Sequence, residues 1–150
     1  MKIMRFKYVL LFFISLCIFT NCSIENDVNK IVITSDDYMK FNTSKITVKS
    51  GKLVKLTLKH IGRLDVQVMG HNFVLLKDKV DIVEFANKAA MASKNQYIPV
   101  ESNEVIVYTD MIGGGQETTI EFLPPEVGVY NFICSFPGHY AMMKGKFIVE

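Results

Sequence analysis

A segment of ten residues near the end of the chain constrains the possible folds more than any other feature. It runs from Cys134 to Met143 and contains a thiol, the imidazole of His139 and thioether sulfur. The Pro-Gly pair at 137–138 predicts a turn, so that His139 can fold back beside Cys134. Met143 follows one turn later, where the last predicted strand begins. The fold must therefore bring three side chains that can bind a metal to the end of one strand.

A fourth candidate ligand, His71, lies far upstream and must come from the end of another strand. Taken singly, a cysteine or a methionine is more often a packed core residue than a ligand. Taken together, two imidazoles, one thiolate and a weak thioether favour copper, and this is the ligand set of blue-copper sites. Zinc is the alternative metal, although it usually takes four strong ligands and Met143 is a poor fourth one.

The first 21 residues have the charge order of a signal peptide. Three basic residues precede the apolar run 8–19, as is typical of secretory signals. A membrane span is the alternative, but the run is short for the roughly 20 apolar residues that a span needs. We therefore expect export, with residues 1–21 removed and residues 30–150 forming one domain.

Cys22 follows in a stretch that resembles the processing site of a bacterial lipoprotein, where a cysteine becomes the first residue and carries lipid. Residues 22–29 are then a polar tether between the membrane and the domain. Asn21 stands where such sites usually have a small residue, so the alternative is ordinary cleavage nearby with Cys22 as a spare thiol. If Cys22 is lipidated, Cys134 is a lone thiol in an oxidising compartment, where a thiol persists best when a metal holds it.

The charge balance argues against nucleic acid as a partner. The chain has 17 basic and 15 acidic residues, but three basic and no acidic residues lie in the signal, so 14 basic residues remain against 15 acidic ones. No basic stripe is left to neutralise phosphates. The glycine run 113–115 is not a phosphate-binding loop, since no Lys-Ser or Lys-Thr follows it.

Most of the exported chain has the pattern of short β-strands. Alternating or β-branched apolar residues between turn residues predict an all-β fold, a Greek-key β-sandwich of about eight strands. The segment 79–93 instead has apolar residues at helical spacing without Gly or Pro, and predicts one inserted α-helix. The predicted strands are 31–33, 46–48, 54–58, 65–69, 73–76, 104–109, 117–123, 129–134 and 144–149.

These ligands and their neighbours carry a family resemblance: residues 30–150 are similar to azurins, small cupredoxins that carry electrons in the bacterial periplasm. The likeness is strongest in the segments 39–42, 68–75 and 134–145. It implies a cupredoxin-like fold with one type 1 copper ion. The ligands that it implies are His71, Cys134 and His139, with Met143 axial and the carbonyl of Gly70 as a weak contact.

The resemblance also assigns roles around the metal. It implies that Asn72 and the backbone N–H of Phe136 steady the sulfur. His60 matches a position near the metal but not bound to it, where a satisfied structural histidine is the default interpretation. The exposed edge of His139 would be the electron port. The apolar docking patch implied around it consists of Met39, Leu64, Val68, Met69, Phe136, Gly138 and Ala141.

One difference from azurins bears on stability. Azurins generally have a disulfide between the first strand and a later one, and the matching positions here are Asn29 and Gly51. A bridge of that size would contribute roughly 3 kcal/mol. The chain must therefore find this stability elsewhere or be less stable.

The predicted function is a shuttle for single electrons that alternates between Cu(II) and Cu(I) in the periplasm or cell envelope. It is not an enzyme, because a site with every position filled has no place for a substrate. The resemblance implies redox partners such as c-type cytochromes, a nitrite reductase, a peroxidase or a terminal oxidase, with a membrane reached through the lipid anchor. The alternative is a copper chaperone or copper store that delivers metal to an oxidase, although such proteins favour open, Met-rich sites.

Overall fold

The computed structural model describes residues 28–150, which form two β-sheets with a shared core. Nine strands and two α-helices follow one another along this part of the chain. The strands are β1 (Asn29–Asp36), β2 (Lys40–Phe41), β3 (Lys45–Val48), β4 (Val54–His60), β5 (Val74–Leu76), β6 (Val105–Tyr108), β7 (Glu117–Phe122), β8 (Gly128–Ile133) and β9 (Lys144–Val149), and the helices are α1 (Val66–Met69) and α2 (Ile82–Ala90).

The strand order gives two layers. One sheet has the order β2-β1-β4-β7 and the other β3-β9-β8-β5-β6. β1 is parallel to β4, from Asn29 opposite Val54 to Ser35 opposite His60, and β3 is parallel to β9. Parallel neighbours cannot be joined by a hairpin, so the chain crosses from one sheet to the other between them. The predicted all-β sandwich with one longer inserted helix is confirmed.

The core lies between the sheets because each strand buries alternate side chains. In β4 the side chains of Val54, Leu56 and Leu58 are fully buried, whereas those between them face outward. Each large apolar side chain buried in this way contributes about 1.5–3 kcal/mol. The buried residues of the main cluster come from both sheets and are Ile33, Phe41, Ile46, Val48, Val54, Leu56, Leu58, Phe73, Leu75, Ile112, Phe132, Cys134, Met143, Phe147 and Val149.

One predicted strand is wrong. Within the predicted strand 65–69, residues Val66–Met69 form the short helix α1, although Val66 and Val68 alternate with polar residues as in a strand. The Asp65 carboxylate accepts a hydrogen bond from the Gln67 N–H at 2.8 Å, which caps a helical turn. The strand β2 is absent from the prediction, because two residues show no periodicity.

The inserted helix α2 is present but shorter than the predicted 79–93. It begins after Asp81, whose carboxylate accepts hydrogen bonds from two N–H groups of the first turn at 2.8 and 2.9 Å. Lys79 has a left-handed φ of 62° and so stands outside the helix. Phe85 anchors the buried face of α2 in a second apolar cluster with residues of β5 and β8.

Hydrogen bonds of Asn29 join the start of β1 to the turn around Gly51, the two places where the resemblance implies that a disulfide is missing. Its side-chain amide donates to the carbonyls of Lys49 and Lys52 at 3.1 and 3.3 Å. Its side-chain oxygen accepts from the Lys49 N–H at 3.3 Å. The chain thus holds the start of β1 against the turn at Gly51 through non-covalent bonds.

The predicted signal peptide, the lipidation at Cys22 and residues 22–27 of the predicted tether lie outside the described residues. Asn29, predicted as the last residue of the tether, is instead the first residue of β1. Within residues 28–150, no helix combines the length and the apolar character needed to cross a bilayer. Processing and anchoring remain predictions.

All of the predicted ligands lie at one end of the sandwich. β1 ends at Asp36 and β4 at His60, whereas β8 leads into Cys134 and Met143 leads into β9. His71 lies just before β5, beside these strand ends. Because the core fixes the strand ends relative to one another, the fold positions the candidate ligands through packing that needs no metal.

Candidate metal centre

Three of the predicted ligands converge. The donor atoms of His71, Cys134 and His139 all lie within 4.8 Å of one another. The Cys134 sulfur is 3.9 Å from His71 Nδ1 and 3.7 Å from His139 Nδ1. All three side chains are buried, with only 3% of His139 exposed. Folding thus brings residues that are 63 and 5 positions apart to one point.

The spacing fits a metal in a trigonal plane. Bonds of about 2.0 Å to nitrogen and 2.3 Å to sulfur, at trigonal angles, keep the nitrogen and the sulfur about 3.7 Å apart. The two observed distances are 3.7 and 3.9 Å. Two imidazoles with one thiolate are the planar ligands of type 1 copper. The arrangement accordingly fits the copper ion predicted from the sequence.

Backbone hydrogen bonds close the loop that carries two of these ligands. The Cys134 N–H donates to the Met143 carbonyl at 2.9 Å, and the His139 N–H donates to the Phe136 carbonyl at 3.0 Å. Gly138 has a left-handed φ of 82°, a backbone angle that residues other than glycine rarely adopt. The side chain of Met143 is fully buried in the main core cluster. The predicted turn before His139 is present, while the axial role of Met143 stays a prediction.

His71 is fixed through both its backbone and its ring. Its N–H and its carbonyl form two hydrogen bonds with Ile112, each 2.9 Å long. Its Nε2 lies 2.8 Å from the Asp36 carbonyl, which can only accept, so Nε2 carries the proton. Nδ1, which faces Cys134, is therefore unprotonated in the neutral ring and available to a metal.

The backbone N–H groups of Asn72 and Phe136 act on the Cys134 sulfur and lower the pKa of its thiol, against the larger effect of burial. The Asn72 side chain is tied to the next residue of the loop. Its Nδ2 donates to Ser135 Oγ at 2.8 Å, and its Oδ1 accepts from the Ser135 N–H at 2.9 Å. These bonds join the segment that carries His71 to the segment that carries Cys134.

Gly70 lies too close to its neighbours to carry a side chain. A Cβ at this position would lie 2.5 Å from the backbone carbonyl oxygen of Val66 and 3.0 Å from the Met111 sulfur and the Phe136 ring. The Gly70 carbonyl oxygen lies 3.9 Å from the Cys134 sulfur. Glycine thus allows the backbone to approach the centre, and the weak metal contact of this carbonyl stays a prediction.

Burial sets the protonation states of the ligands. It raises the pKa of the Cys134 thiol to about 12, in spite of the two N–H donors. It lowers the pKa of His139 to about 4 and holds the pKa of His71 below its usual value. At neutral pH both imidazoles are therefore ready to bind a metal, whereas Cys134 must lose a proton when the metal binds.

His60 lies next to the centre and has a partner for each ring nitrogen. Its ring stacks on that of His71, with centroids 4.5 Å apart. Nδ1 accepts from the Gly62 N–H at 3.0 Å, so Nε2 carries the proton and donates to the Met69 carbonyl at 2.9 Å. Both nitrogens are thus satisfied, as expected of a structural histidine, and the ring holds the residue that precedes Gly70.

Two residues that sequence reasoning did not single out also support the centre. Ser135 is one, because its hydroxyl and its N–H form hydrogen bonds with the buried side-chain amide of Asn72. Asp37 is the other: its carboxylate accepts from the N–H groups of Arg63 and Leu64 at 2.8 and 3.2 Å. These bonds, chiefly that of Arg63, hold the pKa of Asp37 below its usual value. Asp37 lies four residues after the predicted strand 31–33, so the sequence did not mark it as a loop contact, and Ser135 offered no signal beyond its place in the loop.

The residues predicted for docking are all at least partly accessible at the ligand end. Val68 is 61% exposed. Met142, in the same loop as His139, is 71% exposed and is absent from the prediction. The accessible predicted residues are Met39, Leu64, Val68, Met69, Phe136, Gly138 and Ala141.

A protein-family model described as copper binding proteins, plastocyanin/azurin family, matches residues 28–150. The azurin of Pseudomonas chlororaphis is 37% identical over 126 residues, which cover 81% of this chain and 98% of that protein. Azurin-1 of Alcaligenes xylosoxydans xylosoxydans is 40% identical over 118 residues, or 75% of this chain and 91% of that protein. The outer membrane protein H.8 of Neisseria gonorrhoeae is 38% identical over 117 residues, or 76% of this chain and 63% of that protein.

Solved structures with the same fold include the azurin Az-iso2 of Methylomonas sp. strain J. It superposes with a TM-score of 0.74 and 31% identity, covering 81% of this chain and 98% of that one. Auracyanin of Roseiflexus castenholzii superposes with a TM-score of 0.73 and 30% identity, covering 81% of this chain and 97% of that one. Sequence and fold thus agree over nearly all of the described chain.

Proposed function

Because the chain belongs to the plastocyanin/azurin family of copper-binding proteins, we propose that it carries single electrons between redox proteins in the cell envelope. Its cofactor is one type 1 copper ion. The observation that carries the proposal is the convergence of His71, Cys134 and His139, buried and at the spacing of trigonal copper ligands.

Residues of the protein fix the positions of the proposed metal ligands. Copper supplies a centre that gains and loses one electron. His71, Cys134 and His139 would hold this ion, and Met143 and the Gly70 carbonyl would be its weak contacts. Because backbone hydrogen bonds fix these donors, the shell changes little between the two oxidation states, and little energy is spent on rearrangement when an electron moves.

The edge of His139 serves as the electron port. Its Nδ1 faces the sulfur, so the opposite side of the ring points away from the centre. Only 3% of His139 is exposed, and the ring of Phe136 lies beside it with centroids 4.6 Å apart. We place the docking patch around this edge and define it as Met39, Leu64, Val68, Met69, Phe136, Gly138 and Ala141. Accessible apolar side chains of this kind favour brief, weak docking of a redox partner.

The filled coordination shell argues against catalysis. All of the proposed donors come from the protein, so no position is left at which a substrate could bind the metal. We therefore propose electron transfer without chemical conversion. By the resemblance, the partners are c-type cytochromes, a nitrite reductase, a peroxidase or a terminal oxidase.

A membrane anchor on Cys22 completes the proposal. The charge order of residues 1–21 and the cysteine directly after them support export and lipidation. The similarity to a protein named outer membrane protein H.8 supports attachment in the cell envelope. The tether would keep the carrier close to partners in the same compartment.

Copper delivery is the competing function. A chaperone needs an exchangeable site, whereas the three converging side chains here are buried. Slow loss of copper to a mild chelator from folded protein is therefore expected. Rapid loss without unfolding would favour delivery instead.

The docking experiment tests the carrier function directly. Val68→Lys places a charge in the docking patch, whereas the control Val129→Lys places one on β8, where the side chain is 55% exposed. We expect electron exchange with a c-type cytochrome, followed by stopped-flow absorbance, to slow at least tenfold in the first variant and to stay unchanged in the second. Both should keep the copper spectrum, and equal rates in the two variants would contradict this docking surface.

A further inference from the structure

The copper centre and the point where the chain enters the domain lie at opposite ends of β1. Asp36, the last residue of β1, accepts the hydrogen bond of the His71 ring. Asn29, the first residue, donates its N–H to the Leu53 carbonyl at 2.8 Å at the other end. Seven strand steps separate Asn29 from Asp36, a distance of about 23 Å.

The strand registers extend this remote end across both sheets. Asn29 lies opposite Val54, which lies opposite Phe122. In the other sheet, β8 begins at this level with Gly128 opposite Val149. The Asn29 amide bonds the carbonyl that follows β3 and so links the two sheets here. We call this end, formed by Asn29, Val54, Phe122, Gly128 and Val149, the entry pole.

Little chain separates the proposed lipid from the entry pole. From Cys22 to Asn29 there are seven residue steps, which span at most about 25 Å at full extension. To turn the His139 edge toward the membrane, these seven residues would have to cover the length of β1 and the copper loop beyond it. That path exceeds about 23 Å and would leave the tether none of its conformational freedom.

The entry pole also carries side chains that suit contact with a lipid surface. Leu123 and Val127, in the loop between β7 and β8, are 67% and 69% exposed. Lys30 is exposed near the start of β1, and Glu126 is accessible in the same loop as Val127. Charges of both signs are thus present, so the position of the anchor rather than the net charge determines which end faces the membrane.

We propose that the anchored domain faces its membrane with the entry pole and presents its copper centre to the aqueous side. The surface that the entry pole meets is the headgroup layer of the membrane that holds the anchor. This inference rests on the proposed function, namely on lipid at Cys22 and on the electron port at His139. A redox partner must then bring its cofactor to the aqueous end, and an acceptor confined to the headgroup layer of the same membrane exchanges electrons slowly.

The test uses the full lipidated protein, loaded with copper and reduced to Cu(I), in vesicles of phosphatidylethanolamine and phosphatidylglycerol. One electron acceptor is a lipid with a ferrocenium headgroup in the same vesicles, and the other is ferricyanide dissolved in the buffer. The matched variant has about 20 Gly and Ser residues inserted after Ser23, which adds about 25 Å of average reach. Oxidation of the copper centre is followed by its visible absorbance.

With the lipid acceptor, we expect oxidation at least tenfold faster in the long-tether variant than in the native protein. With ferricyanide, the two proteins should react at the same rate. Equal rates with the lipid acceptor would overturn the orientation while leaving the carrier function and the anchor intact. The Cys22→Ser control should fail to sediment with vesicles. If the native protein also failed to sediment, the anchor and the orientation would both be overturned. If ferricyanide did not oxidise the native protein, the redox function on which both rest would be overturned.

Discussion

The ligand end of the sandwich and its entry pole bury different kinds of side chain. Near the ligands the chain buries polar groups, and every buried side-chain nitrogen or oxygen in the described residues has a hydrogen-bond partner. Toward the entry pole the buried side chains are apolar, as in Val54 and Val149. The contrast teaches that burial stabilises one end, whereas hydrogen bonds specify geometry at the other. The buried polar residues are Ser35, His60, His71, Asn72, Thr109, Ser135 and His139.

The largest expected effect comes from breaking the apolar end. Leu56 is fully buried in β4, so Leu56→Ala should lower the free energy of unfolding by about 2–5 kcal/mol through lost burial and a cavity. The copper spectrum of the folded fraction should not change. Urea unfolding followed by circular dichroism measures the first effect, and the exposed Leu123→Ala serves as a control within about 0.5 kcal/mol of the native protein. An altered copper spectrum in Leu56→Ala would show that the two ends are not independent.

At the ligand end of the sandwich, truncation of a buried polar side chain should change the properties of the metal as well as the stability. Asn72→Ala removes the side chain that bonds Ser135 at 2.8 and 2.9 Å and leaves a buried N–H and hydroxyl without these partners. We expect a loss of about 1–3 kcal/mol in stability, together with a shifted copper absorption and reduction potential. Spectroelectrochemistry measures both properties of the metal. The control is Asn131→Ala, which removes an exposed amide that accepts a hydrogen bond from Lys146 and should leave the copper absorption and the reduction potential unchanged. If Asn72→Ala also left both unchanged, the role assigned to the Asn72 side chain would be contradicted.

Metal loading provides a third, chemical contrast. The pKa of the Cys134 thiol is about 12, so at pH 7 the metal-free thiol is protonated and copper binding must displace that proton. One proton should be released for each copper bound, and the affinity should fall about tenfold for each unit decrease in pH. Below about pH 4 the fall should steepen as His139 is protonated. A pH-stat titration checks the proton count, and no release in native protein, as expected for Cys134→Ser, would contradict thiolate ligation.

The smallest effect concerns Asp37, which links the end of β1 to the loop after β4. Its pKa is held below the ordinary value, chiefly by the Arg63 N–H. A depressed pKa contributes stability above the pKa of the unfolded state, about 3.9, and that stability is lost as the pH falls through the folded-state value. Asp37→Asn should therefore flatten the decline in unfolding midpoint between about pH 5 and pH 3, measured in urea. If the unfolding midpoint of Asp37→Asn declined as steeply as that of the native protein over this pH range, Asp37 would not contribute to the pH dependence of stability.

The candidate site was the most predictable part of the molecule because its chemistry is concentrated. One short loop supplies Cys134, His139 and Met143, and few residue types bind soft metals. The sandwich was predictable because alternation in strands such as β4 reflects which face is buried. Both signals are local in sequence.

The parts that sequence reasoning missed depend on contacts between distant residues. The exception is 65–69, where a contact only two positions apart, from the Gln67 N–H to the Asp65 carboxylate, overrides an alternation typical of a strand. Ser135 meets Asn72 across 63 positions, and Asp37 meets Arg63 across 26. No local pattern marks such pairs, because their hydrogen bonds exist only after the sheets have formed.

The central claim is that Cys134 binds copper as a thiolate between two imidazoles, and the visible spectrum tests it most directly. Cu(II) is added to the purified domain without residues 1–22, and the same measurement is made on Cys134→Ser. The account predicts an intense blue charge-transfer band in the native domain and its loss in the variant. A colourless native domain, or a weak absorption that is indifferent to Cys134, would contradict the account.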